Sequence, residues 1–454
     1  MPQHPSSATA ARRLAQTILV RVARDGAFAE RLLASSFART ELSPRDRAWL
    51  TELVYGTLRH VAWLDAQLSR HTRKPLHKLP PPVLAALRLS AYQLLCMRVA
   101  PHSAVHQGVE LVQSFGHLKG VVNAVLRQLH ATPPDAQEPL DTPVQVAQRA
   151  SLPLWIVEEV AAQRSFEAAR AWALATLVAP PVTLRVNLQR TTLAEYRLLL
   201  DAGGIAYSSP TLCADTSLAL QRGGAVEGLP GYAEGLFCVQ DPAATWVGQV
   251  APLHQPALVV DLCAAPGGKA THLAELYPSA TVVALDSHPQ KVELLQRNAM
   301  RLHHAKLQAY AVDCTDAAQV QACLQACAPG QPIDAVWLDA PCSGMGTLRR
   351  NSELRSRPRD SLESLLALQA DLLRAAATLV QGSACLIYCV CTPTAAEGPQ
   401  QIESFLAAHP DFVCEPITDL HGGLADGPYA RTWTDLHCAD SFFVARLRRR
   451  KLHP

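Results

Sequence analysis

Nowhere among the 454 residues do ~18 uncharged apolar residues follow one another, so a membrane-spanning helix is not expected. Cys-x-x-Cys spacing is also missing. The thirteen cysteines are odd in number, and Cys96 alone precedes residue 200. A disulfide framework and the usual zinc cluster are therefore disfavoured, and the cysteines are read as free thiols with no metal site. Aromatic residues are only 6% of the chain, too few for extensive base stacking on aromatic platforms. Met1–Arg13 has no basic segment followed by an apolar signal core, which predicts a cytoplasmic location.

What is present is an ordinary globular composition on a chain long enough for about three domains. Net charge is nearly zero over the whole chain but not over its parts. Residues 1–130 hold 17 Lys/Arg against 7 Asp/Glu, leaving 24 against 32 for the remainder. Such asymmetry suggests a basic module that meets an anion such as nucleic acid. Apolar positions within 11–130 recur at helical spacing, as in Leu50, Val54, Leu58, Val61, Leu64 and Leu68, and predict five or more helices. One start is well marked: Ser43 is placed to cap, Pro44 suits the first turn, and Asp46 lies near the positive helix end. The prolines and acids of 133–148 read as an exposed linker. Residues 149–235 mix a helical stretch, Trp155 to Ala175, with the strand-like Val182–Asn187, and predict a small α+β subdomain. From 236 to the C-terminus, strand-like Ala257–Leu262, Thr281–Leu285, Leu307–Val312, Ala335–Leu338 and Ala384–Val390 alternate with helical segments such as Gln290–Leu302. That pattern predicts a mostly parallel, doubly wound Rossmann-like α/β sheet, with ligands at the carboxyl ends of its strands.

After the first of these strands comes Cys263-Ala264-Ala265-Pro266-Gly267-Gly268-Lys269. Small residues and two glycines let the backbone approach a ligand, and the following helix offers free N–H groups. The pattern is neither G-x-G-x-x-G nor G-x-x-x-x-G-K-[ST], which weakens dinucleotide and nucleoside triphosphate readings. Asp286 and Asp313 end the next two strands, and two acids in that register suggest a nucleoside-binding rim. The fourth strand runs into Asp339-Ala340-Pro341-Cys342-Ser343-Gly344, and the fifth into Tyr388-Cys389-Val390-Cys391-Thr392. Two strand ends thus deliver thiols beside a cofactor site. Cytosine C5 is a poor nucleophile, and its methylation is helped when a thiolate first attacks C6. One cysteine for attack, a second for resolution and an acid near N3 match that chemistry.

On these motifs, with Gln240-Asp241-Pro242 upstream and Glu52-Leu53-Val54-Tyr55-Gly56 and Val122–Arg127 in the helical part, the chain resembles the Sun-type family of RNA cytosine-C5 methyltransferases. The resemblance is greatest to the bacterial 16S ribosomal RNA members with an N-terminal NusB-like domain. It implies an all-α NusB-like RNA-binding bundle over 1–132, the linker 133–148, the subdomain 149–235 and a methyltransferase domain over 236–454. It implies S-adenosyl-L-methionine against Cys263–Lys269, with Asp286 on its ribose, Asp313 near the adenine, and Asp339 near both methyl donor and target base. It makes Cys391 the nucleophile and Cys342 the residue that helps release product, a division spacing alone leaves open. Departures from the family pattern are Val390-Cys391-Thr392 for Thr-Cys-Ser, Glu397-Gly398 for Glu-Asn, and Ser441 in Asp440-Ser441-Phe442-Phe443.

Arg349, Arg350 and Arg355 follow the Asp339–Gly344 motif and are expected to hold RNA phosphates beside the target base, which must be unpaired or extruded for chemistry at C5 and C6. The partner expected is 16S ribosomal RNA, with the protein a monomer. Rival readings are a methyltransferase for transfer RNA or another RNA, and a non-catalytic, antitermination-like RNA-binding factor. The latter has no need of paired cysteines.

Overall fold

The computed structural model describes residues 7–135, 138–250, 252–418 and 420–450. Part of the opening Met1–Arg13 segment, and positions 136 and 137 of the expected linker, lie outside the described residues. The chain divides into two compact units, one reaching to Ala179 and including Leu348–Arg357, the other made of Pro180–Thr347 and the residues from Pro358 on.

The first unit is helical. Helices Ser7–Asp25, Ala29–Arg39, Pro44–Arg59, Val61–Ser69, Pro81–Leu95, Pro101–Glu110 and Lys119–Ala131 enclose Leu50, Leu53, Val54, Leu64 and Leu87. Ser43 caps as its sequence suggested, accepting from Asp46 N at 3.1 Å with Pro44 next to it. The expected linker needs correction. Pro143–Arg149 is a helix begun by a reciprocal capping box, Thr142 with Gln145, and with Leu154–Gln163 and Phe166–Ala175 it belongs to the helical unit. Trp63 N, for instance, donates to Ser151 Oγ at 3.0 Å. The division between units therefore falls at Ala179, because these helices bury Ala147, Ile156, Val157, Val160 and Trp172 whatever the polarity of the segment before them.

The second unit contains two sheets. Strands β1 (Thr183–Val186), β2 (Tyr207–Ser208), β3 (Ser217–Leu220) and β4 (Phe237–Val239) form an antiparallel sheet in the order β2-β3-β1-β4, backed by helix Leu193–Ala202. Leu184 and Val186 join Tyr196, Leu200, Leu218, Leu220 and Phe237 in its core, so strand alternation turns Arg185 to the opposite face.

The large sheet has β5 (Leu258–Leu262), β6 (Thr281–Asp286), β7 (Leu307–Ala311), β8 (Ile333–Asp339) and β9 (Cys385–Val390) parallel, in the order β9-β8-β5-β6-β7. Their core segments are nearly continuous apolar runs, as buried parallel strands require. Val259, Val282, Ala335, Trp337 and Ile387 face one layer, and Val260, Val283, Val336, Leu338 and Leu386 the other. Beyond β9 the sheet turns antiparallel, through β10 (Phe412–Glu415), β11 (Leu424–Asp426), β12 (Tyr429–Arg431) and β13 (Phe443–Arg449). The sheet is thus mixed, and this half was not foreseen from the sequence: β11 and β12 are three residues each, and β13 is rich in arginine. The order reverses at β5, between β8 and β6, and the loops after β5 and β8 open at this switch point.

Candidate active site

The turn after β5 is shaped by close packing. Gly267 has φ +104°, and a Cβ there would lie 2.6 Å from Leu295 Cγ, so only glycine fits. Helix Gly268–Leu276 begins at once. Below it, Asp261 is 0% exposed and neither carboxylate oxygen has a partner among the described residues. Burial, with Asp339 nearby, pushes its carboxyl well above the usual range. At the end of β6, Asp286 accepts from Ala265 N at 3.2 Å and from His288 N at 3.0 Å, which ties the two strand ends together. Asp313, after β7, is exposed and holds the turn at Thr315 through contacts of 2.9 and 2.7 Å.

On the other side of the switch point, Lys269 Nζ donates to Asp339 Oδ2 at 2.7 Å and lies 4.8 Å from the centre of the Phe442 ring. Burial alone would lower this amine, but Asp339 and the thiols of Cys389 and Cys391 outweigh it and hold the amine well above its ordinary range. Lys269 is therefore a fixed cation beside Cys391.

Cys342 Sγ and Cys391 Sγ are 3.3 Å apart and both half-buried. The neighbouring sulfur, burial, and the charges of Glu397 and Asp339 push Cys342 well above the usual thiol range. Cys389 is fully buried, donates to Leu338 O at 3.7 Å and Asp339 Oδ1 at 3.6 Å, and is pushed up by burial, as befits an inert thiol. Cys391, two residues on and just past the end of β9, is only half-buried.

Sequence reasoning gave Glu397 no role beyond its place in the Glu397-Gly398 pair, yet this buried carboxylate fastens the two thiol-bearing loops together. Oε1 accepts from Ser343 N at 2.6 Å and Gln369 Nε2 at 3.1 Å, and Oε2 from Ser343 Oγ at 2.6 Å and Thr394 Oγ1 at 2.9 Å. Ser343 Oγ also meets Thr392 Oγ1 at 2.9 Å. Gly346 N donates to Cys391 O at 2.9 Å, and a Cβ at 346 would lie 2.0 Å from Ser441 O. The signal available in sequence was a Glu three residues after a Thr, Thr394 and Glu397, which is too common to read.

The arginines require a correction. Arg349 and Arg355 are 5% and 2% exposed and belong to the helical unit. Arg349 Nε donates to Val178 O at 3.0 Å; Arg355 Nη1 donates to Ala150 O at 2.7 Å, and Arg355 Nη2 to Thr176 O. Ala150 and Thr176 end helices Pro143–Arg149 and Phe166–Ala175, so Arg355 neutralises two negative helix ends. Guanidiniums withdrawn from water in this way do not meet phosphate. Arg350 alone of the three is exposed.

Comparison with known proteins gives this geometry its context. A family model described as 16S rRNA methyltransferase RsmB/F matches residues 249–448. The chain is 33% identical over 457 residues to the probable ribosomal RNA small subunit methyltransferase B of Bacillus subtilis, covering 97% of this chain and 99% of that protein. The chain belongs to the RsmB/F methyltransferase family. A NusB model matches 9–131, and a model of the RsmF/B-like ferredoxin-like domain matches 152–227, so this RsmB/F member carries a NusB domain, a ferredoxin-like domain and a methyltransferase domain. Ribosomal RNA small subunit methyltransferase B of Vibrio cholerae is 34% identical over 82% of this chain and 84% of its own. The crystal structure of PH0851 superposes with a TM-score of 0.80 at 22% identity, over 97% of this chain and 99% of that one, a likeness of fold. Among the described residues no helix is long and apolar enough to cross a membrane, and no cluster of three His, Cys, Asp or Glu side chains is placed to hold a metal ion.

Proposed function

We propose that this protein methylates C5 of a cytosine in 16S ribosomal RNA, with S-adenosylmethionine as methyl donor and Cys391 as covalent nucleophile. The observation that carries the reading is the pair of thiols 3.3 Å apart beside a half-buried lysine–aspartate ion pair. The relatives, ribosomal RNA small subunit methyltransferases B, point to the same RNA.

The turn suits that donor. The orphaned acid Asp261, the acids Asp286 and Asp339 and the free N–H groups of helix Gly268–Leu276 fit a molecule that joins a cationic sulfonium to ribose hydroxyls and a carboxylate. Cys263, Ala264, Ala265, Pro266, Gly267, Gly268 and Lys269 would line it, Asp286 would take the ribose hydroxyls, and Asp313 would lie near the adenine. When bound, S-adenosylmethionine supplies an electrophilic methyl group.

Lys269 stabilises a thiolate at Cys391, which adds to C6 of the cytosine. The electrons displaced from the C5=C6 bond make C5 nucleophilic, and Asp339 attends the pyrimidine's N3 side. Once C5 also carries the methyl group, its own proton must leave. Cys342, as a thiolate, takes that proton to become a thiol. The C–H electrons restore the C5=C6 bond, and Cys391 leaves as a thiolate. Glu397 holds the two sulfurs in reach throughout. Exposed Arg350 remains, of Arg349, Arg350 and Arg355, as the candidate for contact with RNA phosphate.

The test uses methyl-labelled S-adenosylmethionine with 16S ribosomal RNA and, separately, transfer RNA. The expected result is 5-methylcytosine in the ribosomal RNA alone and none with Cys391→Ala. Label in transfer RNA would replace the substrate assignment, and undiminished label with Cys391→Ala would overturn the mechanism.

A further inference from the structure

Arg185 lies on β1 of the ferredoxin-like sheet, yet its side chain leaves that domain's own core. It is 1% exposed and each of its five N–H donors has an acceptor. Nε and Nη2 donate to Glu275 Oε2 and Oε1 at 2.8 and 2.7 Å, a two-pronged pair with a carboxylate that is itself buried. Nη2 also reaches Thr271 Oγ1 at 3.1 Å. Nη1 donates to Gln240 Oε1 and, at 2.8 Å, to the main-chain carbonyl of Gly268. Gly268, Thr271 and Glu275 succeed one another along helix Gly268–Leu276, at the spacing that lines one helical face. Gln240 is held in turn by Thr245 Oγ1 at 3.2 Å.

Gly268 is the first residue of the helix whose opening N–H groups face the turn. Its peptide plane is set on one side by Gly267, which tolerates no Cβ, and on the other by the guanidinium. The ion pair with Glu275 keeps the guanidinium from rotating away, and the absence of a spare acceptor leaves it one arrangement. We infer that Arg185 is a positioning residue for the cofactor turn, through which the ferredoxin-like domain sets the affinity for S-adenosylmethionine. The inference rests on the cofactor reading given above. It assigns to this domain a task directed at the methyl donor and separate from any contact with RNA.

Lysine retains the charge for Glu275 but cannot also supply the donors to Gly268 and Gln240. Calorimetric titration of S-adenosylmethionine into the full-length protein and Arg185→Lys is expected to show Kd raised by about tenfold, the loss of one charged hydrogen bond. The KM for S-adenosylmethionine should rise in parallel. The kcat at saturating donor and the KM for RNA should stay within about twofold, a split that general loosening of the fold would not give. If folded Arg185→Lys binds the donor as tightly as the parent, the inference is overturned while the cofactor reading stands. If the parent itself shows no binding, the cofactor reading falls and this inference with it. Replacing the planar fork of a buried two-pronged ion pair endangers folding. Should Arg185→Lys not fold, Gln240→Leu decides: it keeps the ion pair but strips Nη1 of one acceptor. A severalfold rise in Kd supports the role, and an unchanged Kd overturns it.

Discussion

The rim at the ends of β8 and β9 and the segment Leu348–Arg357 are near neighbours in sequence, and both are crowded with reactive or charged side chains. They differ in what determines where those side chains point. At the rim, Cys342 and Cys391 follow parallel strands paired Asp339 to Cys389, so strand register brings the two loops together and Glu397 then locks them. In Leu348–Arg357 there is no such register. The segment joins the helical unit, and Arg349 and Arg355 go to acceptors that unit leaves open: Val178 O, Ala150 O and Thr176 O. A run of like charges is read from sequence as solvated surface, but helix C-termini compete with water for guanidinium groups, and here two of them win.

Three substitutions probe this contrast. Cys342→Ala should have the largest effect, since on the proposed mechanism it leaves attack intact and removes the group that takes the C5 proton. Turnover should fall roughly a hundredfold, and a covalent protein–RNA adduct should accumulate on denaturing gels. Free product released at the parental rate would put Cys342 outside the chemistry. Arg355→Ala should act on the helical unit, lowering stability by about 2–4 kcal/mol in urea unfolding while leaving the salt dependence of RNA binding as it is. A changed salt slope with unchanged stability would reverse the contrast and return Arg355 to the RNA-binding set. Arg350→Glu should be mildest, with RNA affinity lowered by a few-fold and the salt slope smaller by about one. An unaltered slope would remove Arg350 from RNA contact as well.

Much of the catalytic fold was legible because its strands are apolar runs between helices of clear period. Val259, Val260 and Leu262, or Val282, Val283 and Leu285, can be little else. The antiparallel extension was not. Tyr429–Arg431 and Leu424–Asp426 become strands only because β13 is there to pair with, and β13, Phe443-Val-Ala-Arg-Leu-Arg-Arg, is itself stabilised by pairing with β9 and by Glu415 against Arg446 and Arg448. The linker was misplaced for a related reason. Pro143 reads as a breaker, although a proline at the first position of a helix capped by Thr142 begins one.

The sequence by itself determined which residue types stand at each strand end, since period-2 and period-3.6 patterns fix element type and the motifs fall where those elements stop. The glycine turn, Asp339 and both thiols followed from that local information. Only the tertiary structure decided which charged groups were withdrawn from water. Arg185 against Glu275 and Gly268, Arg355 on two helix ends and Glu397 between two loops are partnerships across 90, 205 and 54 positions of chain. A guanidinium or carboxylate is indifferent to sequence distance. It is buried where packing collects enough hydrogen-bond partners to replace its water, and that condition is met only when distant segments have come together.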